Sequence, residues 1–201
     1  MVKKVLAVML LSIAFFLWAP NAAPFINAGS KILAAVPAVE NLSLQRDVRV
    51  YETQDPDFQL LLVVTGFYYS SMTRHPAGYN SGFSFFKVSG ITAKEIGNKC
   101  GCSGLTSPLD KIVIVLFNSM TSEDESRIVS HELTHVLQTV NGTVFSLPKM
   151  ESEYQAEVLS RFTMTLIMSV SRPLGPGSLD TRQMNDEDLE NLRMLLYRLG
   201  E

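Results

Sequence analysis

Residues 110–140 read "DKIVIVLFNSMTSEDESRIVSHELTHVLQTV" and contain the two most regular patterns in the chain. The first part, 110–117, is a β-branched apolar run that predicts a strand. The second part predicts a helix from about Glu123 to Val140, because Ser122 and Glu125 fit a capping box and acidic residues crowd the first turn. The apolar stripe of this helix is expected to face the core; it consists of Val129, Leu133, Val136, Leu137 and Val140.

The remaining segments predict further short strands and long helices, and so an α+β domain. Residues 46–52 and 83–90 alternate as strands do, and Asp55 before Pro56 marks the start of an apolar helix, or less well a strand. Residues 89–110 are rich in Gly, Ser and Thr and are expected to be irregular. A second long helix is expected from about Pro148 to Ser171, then a turn at 172–178. Asn185 caps a last helix with a leucine stripe at Leu189, Leu192, Leu196 and Leu199.

The N-terminus has the layout of a secretory signal peptide. Lys3 and Lys4 precede an apolar run, residues 5–19, and small residues follow. A spanning helix needs about 20 apolar residues, so this run is short for a permanent anchor. We therefore expect a leader at 1–28 and a single domain at 29–201. The protein is predicted to be exported: secreted, periplasmic or on the cell surface. If the leader is retained, residues 5–19 would tether it to a membrane.

Composition and cysteine content narrow the class of protein. The 201 residues are 46% hydrophobic, enough for a core, and the net charge is −3 with both signs intermixed. This pattern does not favour nucleic acid as a partner. The only cysteines are Cys100 and Cys102, in a turn with glycines. We expect their thiols to be incidental or structural. Export would permit a disulfide, but one that closes so small a loop would be strained.

The most informative motif is "HELTH", residues 131–135. His131 and His135 are four residues apart, so both side chains project from one helix face and can converge on one ion. Glu132 is turned aside and can reach a water beside that ion. This is the arrangement of H-E-x-x-H zinc proteases. The alternative is a helix whose histidines are ordinary hydrogen-bonded residues.

A catalytic zinc site needs a third protein ligand from elsewhere in the chain. A metzincin would carry a third histidine at position 142, which is Gly142, so that class is excluded. His75 lies far upstream. The second helix offers Glu151, Glu153 and Glu157. Glu153 would bind the metal, and Glu157, one turn later, would accept the N–H of a histidine ligand. The alternative is that these glutamates decorate a solvated first turn.

"HELTH", a short connection and then "EYQAE" resemble the gluzincin zinc metallopeptidases, and above all the CaaX-prenyl-protease-like group and the minigluzincins. The resemblance covers about 110–160. It implies a compact zincin-like domain: a small sheet, an active-site helix, a second ligand-bearing helix and a C-terminal helix. It places the third ligand on Glu153 and the residue behind the histidine on Glu157, where the family has aspartate. It also implies an edge strand before the active-site helix, although the apolar character of 112–117 favours a central strand.

The predicted function is that of an exported zinc-dependent peptidase acting on peptide or protein substrates. Zn²⁺ would be held by His131, His135 and Glu153 and would lower the pKa of its water toward 7, and Glu132 would take the proton. The donor to the developing oxyanion is left open among Tyr154, Tyr79 and His75. The main alternative is a non-catalytic exported or membrane-tethered binding domain with structural zinc or no metal. A lesser one is a peptidase whose partner completes the cleft.

Overall fold

The computed structural model describes residues 41–78, 82–118, 120–170 and 179–200 as an α+β domain with a small mixed sheet. The helices are α1 Asn41–Asp47, α2 Pro56–Thr73, α3 Gly90–Cys100, α4 Ser122–Val140, α5 Lys149–Val170 and α6 Asp186–Gly200. The strands are β1 Val48–Tyr51, β2 Ser84–Ser89, β3 Gly104–Ser107, β4 Ile112–Phe117 and β5 Thr181–Arg182. The predicted leader and the turn at 172–178 lie outside these residues. Within them, no helix is both long and apolar enough to cross a membrane.

The sheet has the order β3-β4-β2-β1-β5. Strands β2 and β4 pair in parallel, from Ser84 opposite Ile112 to Ser89 opposite Phe117, and the other pairs are antiparallel. Strand β4 is therefore central, and the edge strand beside α4 is β3. The implied edge position of residues 112–117 is therefore wrong, because β4 has a hydrogen-bonded neighbour on each side. Helices cover both faces of β4, which accounts for its continuous apolar sequence.

The sheet separates two layers of helices, and the strand residues alternate between two cores. Val113 and Val115 of β4 pack with α2, α4 and α5. Ile114 and Leu116 face the other way and pack with α1, α3 and α6. Of the predicted leucines of α6, Leu189, Leu192 and Leu196 are buried in this second core. The predicted cap is also present, since the Asn185 side chain accepts from Asp188 N at 2.8 Å.

The expectation that residues 89–110 are irregular is wrong. They form α3, the edge strand β3 and a disulfide between Cys100 and Cys102, so that of the two expected roles for the thiols the structural one is observed. The start of α3 is stabilised by a residue far away in the sequence, since Asp47 Oδ2 accepts from the Thr92 hydroxyl at 3.0 Å. Neither α1 nor β5 was expected. Each is short, and its neighbours fix its conformation.

Helix α4, which carries the histidine motif, begins one residue earlier than expected. The capping box is formed by Thr121 and Asp124, in place of Ser122 and Glu125. Glu125 points instead into the core, where it accepts from the Tyr51 hydroxyl at 2.6 Å and pairs with Lys87 Nζ at 2.7 Å. These contacts tie the first turn of α4 to β1 and β2. In the apolar stripe, Val140 departs from the expectation, since it is exposed at the end of the helix.

Candidate metal centre

Helices α4 and α5 form an antiparallel hairpin joined by a short 3-10 turn, Thr143–Phe145. This places the second turn of α5, with Glu153, against the middle of α4. The facing α4 residues are His131 and His135, one turn apart on the same side. Their side chains retain 19% and 12% exposure and that of Glu153 retains 50%, so the cluster opens to solvent.

Three side-chain atoms converge at this point. His131 Nε2 lies 3.2 Å from His135 Nε2 and 3.3 Å from Glu153 Oε2, and His135 Nε2 lies 3.5 Å from the same carboxylate oxygen. In a tetrahedral zinc site with bonds of about 2.0–2.2 Å, ligand atoms are about 3.3–3.6 Å apart. The triangle therefore has the size that zinc requires. It is the one such group of His, Cys, Asp and Glu side chains among the described residues.

The tautomer of His135 is fixed by Gln138, which contacts the ring nitrogen that faces away from the triangle. His135 Nδ1 lies 2.8 Å from Gln138 Oε1, which also accepts from the Ser152 hydroxyl at 2.7 Å. The amide nitrogen of Gln138 donates to Ser152 O and to Gln155 Oε1, so its oxygen must face the histidine. Nδ1 of His135 is therefore the donor, and the lone pair of Nε2 points at the triangle.

The corresponding nitrogen of His131, Nδ1, faces a charged residue, Glu157. This nitrogen lies 3.6 Å from Glu157 Oε2, slightly beyond hydrogen-bond length, so the contact is mainly electrostatic. Arg127 Nη1 lies 3.2 Å from that oxygen, and Arg161 Nε donates to Glu157 Oε1 at 2.7 Å. The Glu157 carboxylate thus approaches the histidine ring, and two guanidinium groups hold it there.

The charges of the cluster reinforce one another. Burial lowers the pKa of His131, but the adjacent carboxylates of Glu153 and Glu157 outweigh it and raise this pKa to about 9. The pKa of His135 is raised in the same way, mainly by Glu153. Contact with both histidines holds the pKa of the Glu153 carboxyl well below its usual range. The site therefore attracts a cation, which is a proton in the metal-free protein and can be a metal ion in its place.

Glu132 lies beside this cluster but does not belong to it. Its side chain is buried against β3, where Oε2 accepts from the Thr106 hydroxyl at 2.7 Å. Its charge contributes to the raised pKa of both histidines. Oε1 lies over Gly104, at which a Cβ would be only 2.5 Å away. The carboxylate is thus near the triangle without being part of it.

The remaining candidates are not part of the triangle. Glu151 is exposed on the first turn of α5, and His75 is exposed in the loop after α2, where Pro76 O accepts from Asn141. Tyr154 follows Glu153 and is half exposed. Tyr79 lies outside the described residues.

Two residues of the site were not anticipated. Gln138 could have been found from its spacing, since it lies three residues after His135 and so on the same helix face. Thr106 carried no signal, because β3 is fixed by tertiary pairing and not by a periodic pattern. We found no match to this chain among family models, curated proteins or solved structures.

Proposed function

We propose that this chain is an exported zinc-dependent peptidase of the gluzincin type. The observation that carries the proposal is the triangle of His131 Nε2, His135 Nε2 and Glu153 Oε2, with sides of 3.2–3.5 Å. Two imidazole lone pairs and a carboxylate oxygen at this spacing repel one another unless a cation lies between them. The donor set, two nitrogens and one oxygen, is that of catalytic zinc sites with three protein ligands. The leader-like N-terminus supports export.

Glu132 is the proposed general base. Bound zinc would polarise the carbonyl of the scissile peptide and make the attacking water more acidic. Glu132 would accept the proton of that water and pass it to the leaving amine, which requires an ionised carboxylate close to the ligands. Its position beside the histidines, outside the triangle, supports this assignment.

Strand β3 is the proposed place for the substrate chain. It ends the sheet next to Glu132 and pairs with β4 along one side. The backbone groups of its other side can pair with an extended peptide, as exposed sheet edges do in other peptide-binding domains. Main-chain pairing would hold a peptide irrespective of most of its side chains.

The test compares zinc content and hydrolysis of unfolded casein for the parent protein, Glu132→Gln and Glu153→Gln. We expect about one zinc per chain in the parent and in Glu132→Gln, but no hydrolysis by the latter, because an amide cannot accept the proton. Glu153→Gln should lose zinc. Glu151→Gln is the matched control, because that exposed glutamate lies outside the triangle.

The outcomes separate the alternatives stated above. A protein that binds zinc but cleaves nothing would be a binding domain with structural metal. If the protein is purified without zinc and does not take it up, the cluster is an ion-pair network and the proposal is refuted. Loss of zinc from Glu132→Gln, with retention in Glu153→Gln, would reverse the assigned roles.

A further inference from the structure

We propose that Gly104 and Thr106 of β3 form a seat for the Glu132 carboxylate, and that Thr106 is a positioning residue for proton transfer. This inference rests on the proposed function. It adds a residue from the sheet to a site whose other members all come from the α4–α5 hairpin.

The seat has two parts on one face of the strand. Gly104 and Thr106 are alternate residues and so point to the same side, toward α4, whereas Leu105 packs in the opposite core. At Gly104 the absence of a side chain makes room, since a Cβ would lie 2.5 Å from Glu132 Oε1 and 2.9 Å from Cδ. At Thr106 the hydroxyl donates to Oε2 at 2.7 Å.

A general base acts only if its carboxylate lies within hydrogen-bond reach of the proton it takes. Glutamate has three side-chain torsions, so the helix backbone alone does not hold its carboxylate in place. A hydroxyl that donates to one oxygen restricts these torsions and fixes the position of the carboxylate. Strand β3 is itself fixed, because it pairs with β4 from Gly104 to Ser107 and Ser103 O accepts from Leu116 N at 2.9 Å.

The kinetic test compares Thr106→Val, Thr106→Ser and the control Thr165→Val. Valine has the shape of threonine without the hydroxyl, and serine restores the donor. Thr165→Val makes the same change at an exposed residue of α5, whose hydroxyl donates to Arg161 O and which lies outside the site. With labelled casein, we expect Thr106→Val to lower kcat about 10–100-fold with KM within about twofold. Thr106→Ser should recover most of kcat, Thr165→Val should resemble the parent, and all three should keep their zinc.

A second measurement does not depend on activity. The melting temperature of the metal-free protein is compared for the parent, Thr106→Val, Glu132→Ala and the double variant. If the hydroxyl serves the carboxylate, Thr106→Val should lower the melting temperature by about 3–6 °C in the parent and by much less once Glu132 is alanine. This cycle measures the Thr106–Glu132 contact itself.

The results distinguish this inference from the proposed function. An active parent with an unimpaired Thr106→Val would overturn the positioning role and leave the peptidase proposal intact. Equal melting losses in both backgrounds would show that Thr106 does not act through Glu132, and would also overturn it. A parent that binds no zinc or cleaves no casein would refute both proposals, because the seat would then hold no catalytic base.

Discussion

The two histidines of the triangle are oriented by side chains of different charge. His135 donates to the neutral carbonyl of Gln138 at 2.8 Å, whereas His131 faces the carboxylate of Glu157 at 3.6 Å. A carboxylate makes the opposite ring nitrogen a stronger donor to a metal, and a closer neutral acceptor fixes the ring more firmly. The site therefore divides two tasks, basicity and orientation, between the two rings.

Replacing Gln138 should weaken zinc binding, although Gln138 is not one of the three proposed ligands. In Gln138→Leu, Nδ1 of His135 and the Ser152 hydroxyl lose their shared acceptor. We expect zinc affinity to fall about 10–100-fold, measured by competition with a chromophoric chelator. Gln155→Leu is the control, since Gln155 contacts Gln138 and not the histidine. Unchanged affinity in Gln138→Leu would mean that helix geometry alone orients His135.

Gly104→Ala should separate metal binding from catalysis. The new Cβ would lie 2.5 Å from Glu132 Oε1, so the carboxylate must move, while the triangle is untouched. We expect zinc content to remain at the parent level and casein hydrolysis to fall at least about 10-fold. Full activity would show that Glu132 works from another position.

At the scale of elements, the sequence predicted what is periodic and missed what depends on pairing. Helix α4, helix α5 and strand β4 were all predicted, because each is long or strongly apolar. Strand β3 has one apolar residue in four, and its conformation comes from pairing with β4. Helix α3 contains two glycines and several polar residues, and Asp47 from another segment caps it. For the site, helical spacing brought His131 and His135 together and the resemblance added Glu153, but neither could indicate Thr106, which lies on a different layer.

The disulfide between α3 and β3 should contribute little to stability. It closes a loop of only three residues, for which the chain-entropy relation gives about 1.5 kcal/mol. We expect the double variant Cys100→Ser, Cys102→Ser to lose about that free energy of unfolding in urea and to keep its zinc. Parent protein treated with a reductant serves as the control and should behave alike. A loss several times larger would mean that the disulfide holds β3 in place.

For the whole molecule, stability should depend on pH in opposite ways with and without metal. The pKa of His131 is raised to about 9 in the folded metal-free protein, above the ordinary 6.5. The folded state thus holds this proton more tightly than the unfolded state. The resulting stability is fully present below pH 6.5 and is lost as the pH rises toward 9. Zinc must displace the same proton, so its affinity should increase over that range.

Thermal unfolding between pH 6 and 8.5 tests this directly, with a chelator in one series and saturating zinc in the other. The gap between the two melting temperatures should widen as the pH rises. His131→Gln is the control, because it removes this titrating group and should reduce the slope of the chelator series, leaving the contribution of His135. A gap that narrows with pH would contradict the assignment of His131 as both proton and metal acceptor.

The two edges of the sheet differ in how they expose backbone to other proteins. An open strand edge is a template for aggregation, and natural proteins protect it by shortness, charge or cover. Strand β5 has two residues, and Arg182 there is paired with Asp188, so that edge is poorly suited to pairing. Strand β3 has four residues, one of them glycine, which is short for strong association between copies. Under the proposed function it would pair with one extended substrate peptide. Lengthening β3 would therefore increase peptide affinity and insolubility together, and any second copy paired there would cover Glu132.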